Sequence, residues 1–277
     1  MIDIQDFFKK LKQDSEERYD NFAVEEIGSI KRITEDAYLE KPTWLGGDEE
    51  FVCLFIDLDD SSKLSFKKHA TTMAKIYDYF TQNIVDILNT EEFKADYIDI
   101  KGDGAFGIYE GENAIFKALC AAVTFKSFFE TTIKPKFKDI HPDFNCKLGI
   151  HQDKILVRKI GIRGTNNEVW AGRVVNNAAK LAGLSKDIRE KEKIDPNAVI
   201  LVVSEKIYPI LHEKHDHAVM SCHHDKTTWK PGNPIQNVWR EFDISQTDEV
   251  LGNKVYHTTS CWCQAGCCQE NLENLLS

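Results

Sequence analysis

The sequence predicts an α+β fold, a mixed and mostly antiparallel sheet with helices packed against it and a helical segment ahead of it. Three observations predict it. Short apolar runs of strand length alternate with longer stretches whose apolar residues recur at helical spacing. Two of the strands are joined by the tight turn Lys101-Gly102-Asp103-Gly104, which suits antiparallel neighbours. The order reads β-α-β-β-α-β, then a further strand, helix and strand, and that order suits an antiparallel or mixed sheet.

Residues 1 to about 38 place apolar side chains such as Phe7, Leu11 and Tyr19 near one helical turn apart, which predicts helix. Residues 41–47, with Pro42, Gly46 and Gly47, break that pattern and read as a linker. Residues 51–58 form an apolar run of strand length with Asp57 near its end. Phe66, Ala70, Met73, Tyr77, Phe80, Ile84 and Leu88 then recur at helical spacing, with Ser61 or Ser62 placed to cap that helix. Residues 97–100 and 105–109 are the strands of the glycine turn, and 112–129 is a second long helix. Residues 146–151 and 155–160 read as another hairpin turning at Gln152-Asp153-Lys154. An alanine-rich short helix follows at 174–184 and a buried strand at 199–203. The expected division is a helical segment and linker over 1–47, a main domain over 48–245 and a cysteine-rich tail over 246–277.

Composition narrows the function. A chain of 277 residues with 42% hydrophobic and 29% charged residues buries a core without disulfides. A net charge of −10 is the wrong sign for a protein that coats nucleic acid, so no nucleic-acid partner is expected. No apolar run is long enough to cross a bilayer and the N-terminus lacks a signal-peptide core, so a cytoplasmic protein with no membrane partner is expected. Cys261, Cys263, Cys267 and Cys268 crowd together near the C-terminus; a structural Zn²⁺ site and a tail of free thiols are the two readings.

Two acids stand where chemistry is done. Asp57 ends one apolar strand and Asp103 sits in the glycine turn between two others. A β-α-β-hairpin path brings both to one end of adjacent strands. With a backbone carbonyl such as that of Leu58, they offer hard oxygen ligands for Mg²⁺ or Mn²⁺. Either acid alone is equally at home as a cap or turn former.

The segments Phe55-Ile56-Asp57-Leu58, Lys101-Gly102-Asp103-Gly104, Leu148-Gly149-Ile150-His151 and the run from Gly172 to Leu181 occur in that order. Together they resemble the catalytic core of the class III nucleotidyl cyclases, over about residues 51–184. The resemblance implies a ferredoxin-like, palm-type sheet and two divalent cations held by Asp57, Asp103 and the Leu58 carbonyl. It further implies that Asn176 orients the ribose and that the basic residue one helical turn on stabilises the reacting phosphorus. That position holds Lys180 where the family has arginine, which keeps the charge and loses the planar fork; Arg173 is the alternative cation.

The resemblance also bears on the base. The position that reads a purine in the family holds Asp99, and the second base-reading position is Val169, beside Trp170. An acid at Asp99 asks for a donor on the base, and Trp170 shortens the pocket towards a pyrimidine; core packing or a dimer contact are the other readings of Trp170. Lys101 either donates to uracil O4 or faces solvent. These features are similar to the pyrimidine cyclases of Pycsar anti-phage defence. The similarity implies UTP, with CTP second, as substrate, a homodimer with shared active sites, and a cyclic product that acts on a separate cyclic-nucleotide-binding effector. A catalytically silent nucleotide sensor or dimerisation module is the competing class.

Overall fold

The computed structural model describes residues 3–59, 61, 70–162, 165–214, 237–244 and 251–261. Among them nine strands join in one sheet. They are β1 (Val24–Glu26), β2 (Trp44–Leu58), β3 (Tyr97–Lys101), β4 (Gly104–Tyr109), β5 (Cys146–Ile162), β6 (Thr165–Trp170), β7 (Leu201–Ser204), β8 (Arg240–Asp243) and β9 (Lys254–Thr258). The order is β3-β4-β2-β5-β7-β9-β8, with β1 on the start of β2 and β6 on the end of β5. The β1–β2 and β5–β7 pairs are parallel and the others antiparallel. The main helices are α1 (Ile4–Asp20), α2 (Ala70–Leu88), α3 (Ala114–Phe128) and α4 (Arg173–Gly183).

β2 is buried on both faces, which is why it reads as an unbroken apolar run. Val52, Leu54, Ile56 and Leu58 pack with α2 and α3 on one face. Phe51 and Cys53 pack with α4 and with Ile27, Ile30 and Ile33 on the other. α4 lies directly on β5: a Cβ at Gly149 would stand against the Ala178 carbonyl and 2.6 Å from the Ala182 nitrogen. Only glycine lets the helix approach that closely.

Three sequence expectations are corrected. Residues 44–47 are not a linker but the first turnless stretch of β2. Trp44, Leu45 and Gly46 pair with β1, whose three exposed residues carry no apolar strand signal. Gln152-Asp153-Lys154 is not a turn, because these residues stay in register with Val52, Phe51 and Glu50 inside one long β5. Their polar side chains find partners there, Lys154 on Asp48 and Asp153 on Arg173. The N-terminal helix ends at Asp20 rather than near residue 38, and β1 and a 3₁₀ turn at Ile30–Thr34 follow it.

Candidate active site

The glycine turn delivers Asp103 to the end of β2. β4 runs antiparallel to β2 with Ala105 opposite Ile56. Gly102 has φ +63°, a left-handed conformation that favours glycine. Gly104 presses on β2 so closely that a Cβ would lie 2.6 Å from the Ile56 carbonyl and 2.7 Å from Asp57 Oδ1. The turn therefore seats against the strand-end carboxylate. Asp103 Oδ2 is buried there with no hydrogen-bond partner.

Asp57 does have a partner. Lys147, directly across in β5, places Nζ 2.9 Å from Asp57 Oδ2. Burial pushes the Asp57 carboxyl above the usual carboxylate range; Lys147 pulls it down and Asp103 pushes it up again. The Tyr77 phenol of α2 is raised by burial and then by Asp103 and Asp57, which places it beside the same acids.

This donor set fits a divalent cation. A buried carboxylate oxygen without a partner is costly unless something else satisfies it, and hard oxygens select Mg²⁺ or Mn²⁺. Among the described residues no cluster of three or more His, Cys, Asp or Glu side chains is drawn together; Asp57 and Asp103, with the Leu58 carbonyl that the resemblance adds, are the residues that would hold the ion.

A second group forms on β3 and β6. Trp170 Nε1 donates to Asp99 Oδ2 at 3.1 Å, and Lys101 Nζ pairs with the same oxygen at 2.8 Å. The Trp170 ring packs edge-on to Phe106 at 5.2 Å and tilts against Tyr97 at 5.4 Å. Trp170 thus meets Asp99 and Lys101 from 71 residues beyond Asp99 in one chain.

The third group is α4. Asn176 and Lys180 lie exposed one turn apart, and Asn176 Nδ2 donates to the Gly172 carbonyl at 2.9 Å. Arg173 donates to Asp153 Oδ1 at 3.0 Å. Asp153 Oδ2 is also 3.4 Å from His151 Nε2, and Asn177 Nδ2 lies 3.2 Å from that same nitrogen. Ser61 is partly buried just past β2, and Ser62 lies outside the described residues.

A uridylate cyclase of Propioniciclava tarda is 31% identical over 255 residues, which span 90% of this chain and 73% of that protein. The chain belongs to the uridylate cyclase family. A uridylate cyclase of Micromonospora echinofusca is 30% identical over 218 residues, 76% of this chain and 65% of that protein. No family model matches. Solved class III cyclases share the fold. The guanylate cyclase domain from Catenaria anguillulae in complex with GTP aligns over 78% of this chain and 98% of its own, with a TM-score of 0.55 at 13% identity. The adenylyl cyclase CyaB from P. aeruginosa aligns over 82% of this chain and 100% of its own, with a TM-score of 0.51 at 12% identity. The chain is thus a nucleotidyl cyclase of class III fold.

Around the site of this uridylate cyclase relative, the sequence passed over Lys147, Tyr77 and Asp153. Lys147 had a usable signal: it stands two residues before Gly149, and antiparallel pairing puts it opposite Asp57. Of the cysteine cluster, Cys261 is exposed and takes a hydrogen bond from Lys126 Nζ at 2.9 Å; Cys263, Cys267 and Cys268 lie outside the described residues. No described helix is long and apolar enough to cross a membrane.

Proposed function

We propose that this cyclase converts UTP to 3′,5′-cyclic UMP and pyrophosphate, working as a homodimer with shared active sites. We further assign the product to anti-phage signalling, through a separate cyclic-nucleotide-binding effector. The observation that carries the reading is the half-buried Asp57–Asp103 pair with the buried, unpartnered Asp103 Oδ2, in a chain related to uridylate cyclases over most of its length. Held by Asp57, Asp103 and the Leu58 carbonyl, two Mg²⁺ or Mn²⁺ ions supply charge stabilisation to the triphosphate and acidify the ribose hydroxyl.

The chain's own groups do the rest. Lys147, already poised on Asp57, offers a cation to the phosphates, and Ser61 follows β2 at the same strand end. Asn176 orients the ribose. The 3′ oxygen attacks the α-phosphorus, its proton passes to solvent, and the bond to the bridging oxygen breaks with its electron pair leaving on pyrophosphate. Lys180, one helical turn after Asn176, is assigned to the charge that builds at phosphorus, with Arg173, held by Asp153, as the alternative cation.

The base reading favours UTP. Asp99 holds both Trp170 and Lys101 on one carboxylate oxygen, and on this reading the remaining N–H donors of the Lys101 ammonium probe the base. An ammonium only donates. Uracil offers it the O4 acceptor, where cytosine carries an amine. Trp170 packs against Phe106 and Tyr97, and on this reading that aromatic wall limits the base to a pyrimidine.

The test is to incubate the full chain with Mn²⁺ and each of ATP, GTP, CTP and UTP, and to identify products by mass. Cyclic UMP from UTP, lost in Asp57→Ala, is the expected result. Cyclic CMP alone would overturn the base assignment, and no product from any nucleotide would favour a silent sensor.

A further inference from the structure

Immediately beyond the acidic pair, β2 and β5 are tied off by a buried polar knot. Arg189 lies in the short helix Ser185–Lys191 that follows α4, and its side chain is only 7% exposed. One guanidinium nitrogen donates to Asp59 Oδ2 at 2.6 Å and the other to the Ala198 carbonyl at 3.3 Å. The Asp59 backbone N–H donates to the Asn145 carbonyl at 2.9 Å. The Asn145 amide reaches the same Ala198 carbonyl at 3.4 Å.

The position of this knot matters. Asp59 comes two residues after Asp57, and Asn145 two residues before Lys147. Between them lie only the register pairs Asp57↔Lys147 and Leu58↔Cys146. Leu58, whose carbonyl is assigned to the metal, is held on one side by the sheet and on the other by Asp59. A charge-assisted Arg–carboxylate contact fixes direction as well as distance.

We infer that Arg189 is a positioning residue for the metal end of β2, acting through Asp59 on the Leu58 carbonyl and the Asp57 carboxylate. The inference rests on the reading of Asp57, Leu58 and Asp103 as metal ligands. A supporting partner of this kind sets metal affinity without touching the ion, and its loss typically costs about 10–100-fold. The surroundings allow the effect to be separated from unfolding. A cavity of about 390 Å³ opens beside the knot, lined by Asp59, His141, Asn145, Lys186 and Arg189 among others. Water from that cavity can hydrate Asp59 when the guanidinium is removed, so the fold survives while the direction of the carboxylate is lost.

The experiment titrates the full-length protein with Mn²⁺ and follows free Mn²⁺ by electron paramagnetic resonance, with melting temperature recorded in parallel. Arg189→Met and Asp59→Asn should each weaken Mn²⁺ binding about ten-fold or more. Arg189→Lys should recover part of the loss. The double variant should be no worse than the weaker single one, because the two residues act as a unit. With Mn²⁺ saturating, the nucleotide KM should stay near wild type. Wild-type Mn²⁺ affinity in a folded Arg189→Met protein, or in Asp59→Asn if Arg189→Met does not fold, would overturn the inference. So would a lowered melting temperature with unchanged affinity. Failure of the underlying reading looks different: the wild type would bind no Mn²⁺, or Asp57→Ala would bind it as well as wild type.

Discussion

The strand end that carries Asp57 and the helix face that carries Asn176 are built in opposite ways. At the strand end the groups are constrained by their neighbours: Gly104 abuts β2, Lys147 sits on Asp57, and one Asp103 oxygen is buried. On α4, Asn176 and Lys180 stand exposed, and the packing of the helix is spent on the opposite side, where Val174, Ala178 and Leu181 are buried. The first region is fixed in place by its neighbours, and the second is a rigidly seated helix face whose candidate side chains lie at the surface, with Asn176 hydrogen-bonded to the Gly172 carbonyl. The proposed dimer asks the first to supply the acids and the second to supply the ribose and phosphorus contacts of a shared site.

The sharpest way to break this contrast is at the glycine. Gly104→Ala puts a methyl group within 2.7 Å of Asp57 Oδ1 and 2.6 Å of the Ile56 carbonyl. Displacement of Asp57 should lower turnover by at least about 100-fold, with circular dichroism showing a retained fold. Full activity would mean that the strand end is not rigid.

Complementation tests the other side. Asp57→Ala and Lys180→Ala, each inactive alone, should return about a quarter of wild-type turnover when unfolded together and refolded as a mixture, since half the dimers then hold one intact site of two. Zero recovery would place both residues in one self-contained site.

A smaller effect is expected at the base. Lys101→Met removes the proposed donor to uracil and should cut the UTP-over-CTP preference by about ten-fold, measured as the ratio of kcat/KM values. An unchanged ratio would return Lys101 to a plain surface partner of Asp99.

The smallest effect lies far from both regions, in the added strands. His257 is buried on β9, and burial lowers its proton affinity below its ordinary value near 6.5, partly opposed by Glu192 at 3.0 Å. The unfolded chain then binds more protons than the native one just below that value. Stability therefore falls as pH drops through 6.5 towards the lowered native value. His151 is shifted in the same direction, again by burial. His257→Gln should flatten, without abolishing, the fall in melting temperature as pH drops below about 6.5. An identical slope in the variant would refute the assignment.

The sequence made the central strands and both metal-side acids legible for the same reason. A strand buried on both faces is an unbroken apolar run, and a polar residue at its end or in a glycine turn stands out. It also made α4 legible, through helical spacing and the glycine ahead of it. What stayed hidden depends on register. Gln152-Asp153-Lys154 has turn chemistry, yet it continues a strand because β2 runs beside it and Arg173 and Asp48 meet its charges. β1 has an exposed face throughout, so nothing apolar announces it. Lys147 and Arg189 look like ordinary surface cations until pairing places one on Asp57 and the other on Asp59.

The Lys147–Asp57 contact has a practical corollary. A domain that needs its metal to fold collapses when a chelator removes the ion. Here an internal ammonium already balances one of the two acids, and the cores on either side of the sheet pack through hydrophobic side chains. Protein stripped with a chelator should keep its melting transition and its solubility, and wait intact as a dormant stock that manganese or magnesium awakens within the time of mixing.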